Sequence, residues 1–387
     1  MLRTRHAVPT VFGAAIARYP SAMMPLALLL SSAAQLDSLA LGGFTAAAHG
    51  LATAVVAPVW GRWADRVGAR PMLLTTGLGY PVAVVAVVTC FAWKAPLFVL
   101  FAAVIAAGAC VPAAASAVRG SWRQIDDLAV RQALFSADSA AVSIVFISGP
   151  ALVAVAVALS SPAAAMLLAA LGASVGALLV ASYARLHPAV SEPRRTISTA
   201  LGFLFATVWG MGLGFGILDV AVTGFVGGGA LAGILLAIWA CASAVGGLWF
   251  GVIAPKAPMS VQYRWALLAM ALGHLPLILA AKPSTMAMLL LFAGLTVAPT
   301  FATQAMYAAE LAPPGGATET FTWLGTMGYL GMACGAALGG VLVEWRGPDA
   351  AFLIGAAGPG VGFLVVTIVQ WLYFRLITPV ARRRTLA

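Results

Sequence analysis

Apolar runs of about 20 residues return twelve times along this 387-residue chain, and nothing else in it constrains the fold as much. That is the length an α-helix needs to cross about 30 Å of hydrocarbon. The runs are continuous rather than alternating, which points to membrane helices and away from a membrane barrel. The expected spans are 9–34, 39–60, 71–92, 95–118, 132–158, 162–185, 199–223, 229–252, 264–281, 285–309, 319–343 and 350–375. With 8% charged residues and a mean hydropathy of +1.01, the chain has too little charge to cover a soluble surface. Most connections are short, which leaves no room for an extramembrane domain. The longest polar breaks are 119–131 and 186–198.

The cations set the orientation. If the N-terminus is cytoplasmic and the spans alternate, 18 of the 21 Lys and Arg fall on the inner side, and only Lys94, Lys282 and Arg346 fall outside. The positive-inside rule therefore predicts two cytoplasmic termini. The formal charge of +10 is spread over span ends rather than gathered in one patch, which argues against nucleic acid as a partner. The basic, then apolar N-terminus reads as a cytoplasmic end and a retained first helix rather than a cleaved signal. Cys90, Cys110, Cys241 and Cys334 lie singly within apolar runs, so no disulfide or metal framework is expected.

The two halves of the sequence repeat. Leu41-Gly42-Gly43 and Gly61 return 190 positions later as Leu231-Ala232-Gly233 and Gly251. Pro112 corresponds to Pro299, and Gly149 to Gly335. A shift of 186 carries Pro162, Gly172 and Gly176 onto Pro348, Gly358 and Gly362. The expected organisation is a six-helix bundle over 1–186, a cytoplasmic linker at 187–198, and a second six-helix bundle over 199–387. Repeats of this kind place a transport site at their interface.

The most concentrated charge in the chain lies between spans 2 and 3, in Gly61-Arg62-Trp63-Ala64-Asp65-Arg66-Val67-Gly68-Ala69-Arg70-Pro71. Gly61, Asp65, Arg66, Gly68 and Arg70 fit the signature loop of the major facilitator superfamily, and the chain resembles that family over essentially its whole length. Pro71 replaces the last basic position, and the second-half copy keeps Gly251 but has Pro255 for Asp65. Gly149-Pro150 in span 5 is similar to the core of the motif found in proton-driven drug and sugar exporters, without its flanking glycines. The arginine usual within span 4 of such antiporters is absent, since Leu97 through Val118 contains none. The resemblance implies an all-α fold of twelve transmembrane helices in two pseudo-symmetric halves. It also implies a conformational latch in which Asp65, Arg66 or Arg70 meets the start of span 11, where Glu319 stands.

A carboxylate within a span costs about 2.5–3.5 kcal/mol to insert, so each one calls for a reason. Asp219 stands among Gly216, Ile217, Leu218 and Val220, far from any loop cation. It is either a protonatable or substrate-binding group on a cavity wall, or a structural partner of a polar group on another helix. Asp138 and Arg18 share a depth and could pair as a structural or gating ion pair between spans 5 and 1. His49 and His274 could relay protons or sit as neutral, hydrogen-bonded imidazoles. Trp239 and Tyr329 lie deep enough to line a cavity, and the glycines of span 11, from Gly325 to Gly339, read as a close-packed face. Glu319 also serves as a helix-start acid.

There is no phosphate-binding loop, metal-ligand spacing or nucleophile triad, so the chain reads as a non-enzyme needing no cofactor. The expected function is secondary active transport by alternating access, with proton-coupled efflux of a small amphipathic or apolar compound. The partners are then that substrate, protons and membrane lipids, and the expected state is a monomer in a bacterial inner or plasma membrane. An uptake carrier or uniporter for a metabolite such as a sugar is the alternative within transport. A receptor or scaffold is the alternative outside it.

Overall fold

The computed structural model describes residues 7–122, 128–183, 199–253, 257–312 and 317–376. Within a bilayer every backbone N–H and C=O must find a partner inside the protein, and helices satisfy that locally. All regular structure among the described residues is helical. Span 1 is α1 (Ala7–Ile16) and α2 (Tyr19–Leu36). Spans 2 and 3 are α3 (Leu39–Val67) and α4 (Ala69–Ala92). Span 4 is α5 (Leu97–Ala109) and α6 (Ala114–Trp122). Spans 5 to 8 are α7 (Leu128–Leu159), α8 (Pro162–Tyr183), α9 (Thr199–Phe225) and α10 (Ala230–Ile253). Span 9 is α11 (Met259–His274) with a 3-10 segment, Leu275–Leu279. Span 10 is α12 (Pro283–Leu295) and α13 (Val297–Leu311). Spans 11 and 12 are α14 (Ala317–Arg346) and α15 (Pro348–Leu376).

Spans 1, 4, 9 and 10 are therefore divided, although their sequences read as single helices. Proline accounts for three of the breaks: Pro20 opens α2, Pro112 lies in the gap before α6, and Pro276 starts the 3-10 segment. Each removes a backbone donor and disfavours helix in the residue before it. Ten segments are long and apolar enough to cross a membrane among the described residues. The other two spans are α7, whose shorter apolar stretch is Ile144–Leu159, and the 16-residue α11.

The sequence repeat reappears as a repeat of contacts. Gly108 of α5 lies against the carbonyl of His49 on α3, and Gly294 of α12 lies against the carbonyl of Trp239 on α10. Likewise, α1 meets α8 at Gly13 and Gly176, and α9 meets α15 at Gly210 and Gly358. With no Cβ at these points, backbones pack directly, which dispersion rewards where lipid offers no hydrophobic drive.

The first helix group (α1–α8) and the second (α9–α15) meet chiefly through two pairs, α3 with α14 and α7 with α10. The first contact lies away from the arginine cluster: a Cβ on Gly340 would come within 2.7 Å of Ala40, and one on Gly50 within 3.4 Å of Ala333. At the arginine-bearing end, Gly61 of α3 and Gly325 of α14 both face open space. The apolar core follows the same division. One large cluster runs through both groups, joining Met24, Leu29 and Tyr80 to Ile217, Val343 and Phe352. Toward the arginine-bearing end it gives way to two separate clusters. One is built on Met72, Val118 and Val180, and the other on Leu204, Tyr263 and Leu267. The groups share a core at one end and have their own at the other.

Candidate functional site

Four helices, α2, α3, α9 and α14, converge where the shared core ends. A cavity of about 50 Å³ lies between them, lined by Pro25, Leu29 and Gly50 from the first group and by Asp219, Tyr329 and Met332 from the second. Asp219 is its one acidic residue. Its carboxylate makes no hydrogen bond or ion pair among the described residues, and the hydroxyl of Thr223 donates instead to its backbone carbonyl at 2.7 Å. Tyr329 is 43% exposed, so its ring faces open volume rather than a packed core.

Glycines fix the place of Asp219. Gly212 and Gly216 of α9 and Gly331, Gly335 and Gly339 of α14 each leave room for the opposing backbone. A Cβ on Gly216 would overlap the Met332 carbonyl and sit 2.6 Å from the Ala336 nitrogen, and one on Gly331 would overlap the Trp209 carbonyl. The close-packed face expected of span 11 is thus turned against span 7, and the helix carrying Asp219 is held on its neighbour main chain to main chain.

Arg18 and Asp138 meet at 2.7 Å, with side chains 12% and 1% exposed. Arg18 stands at the break between α1 and α2, which turns it toward α7. Nearby, the Tyr19 hydroxyl lies 3.0 Å from Ser148 Oγ. Gly149 lets α7 close on α2, since a Cβ there would be 2.6 Å from that of Ala22. On the other side of α7, the Pro150 carbonyl lies 2.8 Å from where a Cβ on Gly233 of α10 would stand. The Gly149-Pro150 element therefore occupies the crossing at which α7 touches both its own group and the opposite one.

The histidines point away from the cavity between the groups. His49 turns to α4, with Nε2 3.5 Å from the Tyr80 hydroxyl and the rings edge-on at 6.3 Å. Trp239 donates its indole N–H to His274 Nε2 at 3.2 Å. An indole can only donate, so Nε2 accepts and the proton resides on Nδ1, 2.8 Å from the Met270 carbonyl. That is a neutral imidazole with both nitrogens engaged. Trp239 also packs edge-on against Phe215 at 5.3 Å, and Phe215 stacks on Phe301 at 5.7 Å. Tyr329 lines the cavity, whereas Trp239 stands in this aromatic row rather than among the cavity-lining residues. Phe301 and Met332 were not singled out in the sequence, because apolar side chains carry no mark there of the face they will occupy.

Of the signature loop, Gly68 takes φ +94° and makes the turn between α3 and α4, a conformation open to glycine. Arg62, Arg66 and Arg70 are exposed. The side chains of Asp65 and Glu319 lie outside the described residues. Sequence reading also passed over Glu344, near the end of α14. Its Oε1 accepts from the Ser38 hydroxyl at 2.7 Å and from the Ala40 N–H at 2.8 Å, at the start of α3 in the opposite group. A larger hollow of about 400 Å³, lined by Phe44, Leu51, Phe101 and Ala333 of α3, α5 and α14, is almost entirely apolar.

A family model described as Major Facilitator Superfamily matches residues 10–333. Among solved structures, a mutant of the nucleoside transporter NupG superposes with a TM-score of 0.70 at 13% identity, over 95% of this chain and 99% of that one. The human organic anion transporter MFSD10 (TETRAN) gives 0.66 at 16% identity, over 94% and 99%. A POT family transporter in complex with 5-aminolevulinic acid gives 0.70 at 12% identity, over 96% and 97%. At such identities the likeness speaks for the fold. No match is found by sequence among curated proteins.

Proposed function

The chain belongs to the Major Facilitator Superfamily, and from that premise we propose that it is a proton-coupled exporter of small amphipathic or apolar compounds working by alternating access. The observation that carries this reading is Asp219, an acid without a partner among the described residues, in a cavity to which both helix groups contribute. A carboxyl group so placed can take up a proton from one side and release it to the other, and its neighbours Leu29, Tyr329 and Met332 suit an apolar body. Export is favoured by the Gly149-Pro150 element at the α7–α10 crossing. With the arginine-rich face in the cytoplasm, the shared core closes the outer side and the separate cores leave the inner side open. That corresponds to an inward-facing member of the cycle. The His49–Tyr80 and Trp239–His274 contacts favour structural roles for both histidines.

The test is flux in proteoliposomes under an imposed pH gradient. A panel of amphipathic drugs and sugars is first screened for compounds that raise thermal stability, because a ligand that binds the folded state stabilises it. Asp219→Asn is expected to abolish gradient-driven flux of the selected compound while leaving insertion and yield intact. Undiminished flux removes Asp219 from the mechanism, and stabilisation by sugars alone turns the reading to an uptake carrier.

A further inference from the structure

We infer that Glu344 is a gate residue, which holds the face opposite the arginine cluster shut by capping a helix of the other group. The inference rests on the alternating-access reading and adds to it the group that biases the closed side. The first N–H groups of a helix lack intrahelical acceptors, and the aligned peptides give that end partial positive charge. At the start of α3, Ser38 Oγ accepts from the Leu41 N–H at 3.1 Å. The Ala40 N–H is left to an outside acceptor, and Glu344 Oε1 supplies it at 2.8 Å. The same oxygen accepts a hydrogen bond from the Ser38 hydroxyl at 2.7 Å, so Ser38 accepts from its own helix and donates to the opposite group at once. A carboxylate from α14 thus completes the cap of α3.

Its position gives the cap a function. Just below it, Gly340 lies against Ala40, and Gly43 lies against Ala336, with main chains in contact. Those glycine contacts fix the closed shape but carry no charge. Glu344 adds to them side-chain hydrogen bonds from α14 to the start of α3. When this face opens, α3 and α14 separate and the cap must be given up to water. Because Glu344 is exposed, water replaces much of what is lost, so the bias is moderate and the cycle stays reversible.

The experiment measures distances between spin labels in the full-length protein in proteoliposomes, with its four native cysteines replaced by alanine. Labels are placed at Ser160→Cys and Asp349→Cys, exposed positions of opposite groups at the Glu344 end. The parent protein should give mainly the short distance. Glu344→Gln, close to the same shape without the charge, and Glu344→Ala should each raise the ratio of long to short distance about three- to tenfold. Ser38→Ala should move it in the same direction, and Glu310→Gln, at the other end, should not. Distributions that do not change in either Glu344 variant, while a pH step still produces the long distance, overturn the gate and leave alternating access standing. A single distance under every pH and in every variant overturns both.

Discussion

Asp219 and the Arg18–Asp138 pair show how burial sorts acidic residues of one type into different work. Asp138 is paired with a guanidinium at 2.7 Å, whereas Asp219 lines a cavity with no cationic residue in its lining. Breaking a buried pair leaves an uncompensated charge, which costs about 3–5 kcal/mol, while replacing both members with apolar side chains is often neutral. Asp138→Leu alone should therefore lower the thermal midpoint in detergent sharply, and Arg18→Leu/Asp138→Leu should recover most of it. If the double variant is stable and still transports, the pair is structural. If it is stable and inactive, the pair takes part in the cycle. The glycines of the α9–α14 contact are also open to test. Gly216→Leu forces a side chain onto the Met332 carbonyl, and overpacking of about 1–3 kcal/mol should show as a lower midpoint and a lower yield. The same change at Gly61, which faces open space, should leave the midpoint alone.

At the scale of elements, the sequence carried the spans well and their interruptions poorly. Hydropathy registers a helix long enough to cross the layer, but it does not register the loss of one N–H, so the divisions near Pro20, Pro112 and Pro276 were invisible within apolar runs. The repeat is legible in glycines because they mark where backbones touch: Gly149 lies on Ala22 of α2, and Gly335, its counterpart in the sequence, on Leu213 of α9. The partner of Ser38 was not legible. Serine before an apolar run announces a helix start, but nothing local announces an acceptor 306 residues away. For the same reason Asp219 and Trp239 could be named from their depth in a span, while the packing of Trp239 against Phe215, and of Phe215 on Phe301, could not.

For the whole molecule, the two ends of the α3–α14 seam oppose each other. Glu344 favours closure of one face in the inference above, and we propose that the Asp65 loop, through the latch that the family resemblance implies, favours closure of the other. Asp65→Asn should then shift the spin-label distances toward the state closed at the Glu344 end and slow transport. Glu344→Ala should shift them the other way. Because the sites lie at opposite ends of the seam, their effects should add, and the double variant should return toward the parent distribution. A double variant that follows either single one would show that only one end sets the balance.

The glycine seam of α14 also bears on how such a carrier can change its cargo over generations. Gly331, Gly335 and Gly339 lie against the α9 backbone, so a side chain added there meets main chain and costs stability whatever the cargo. Tyr329 and Met332, on the same helix, line the cavity, and although the Met332 main chain joins the α9 contact, their side chains are not what the glycines pack on. Drift in specificity along α14 is thereby confined to a narrow register of positions, and a lineage descending from this chain should record its history of substrates there, beside a glycine face that hardly varies.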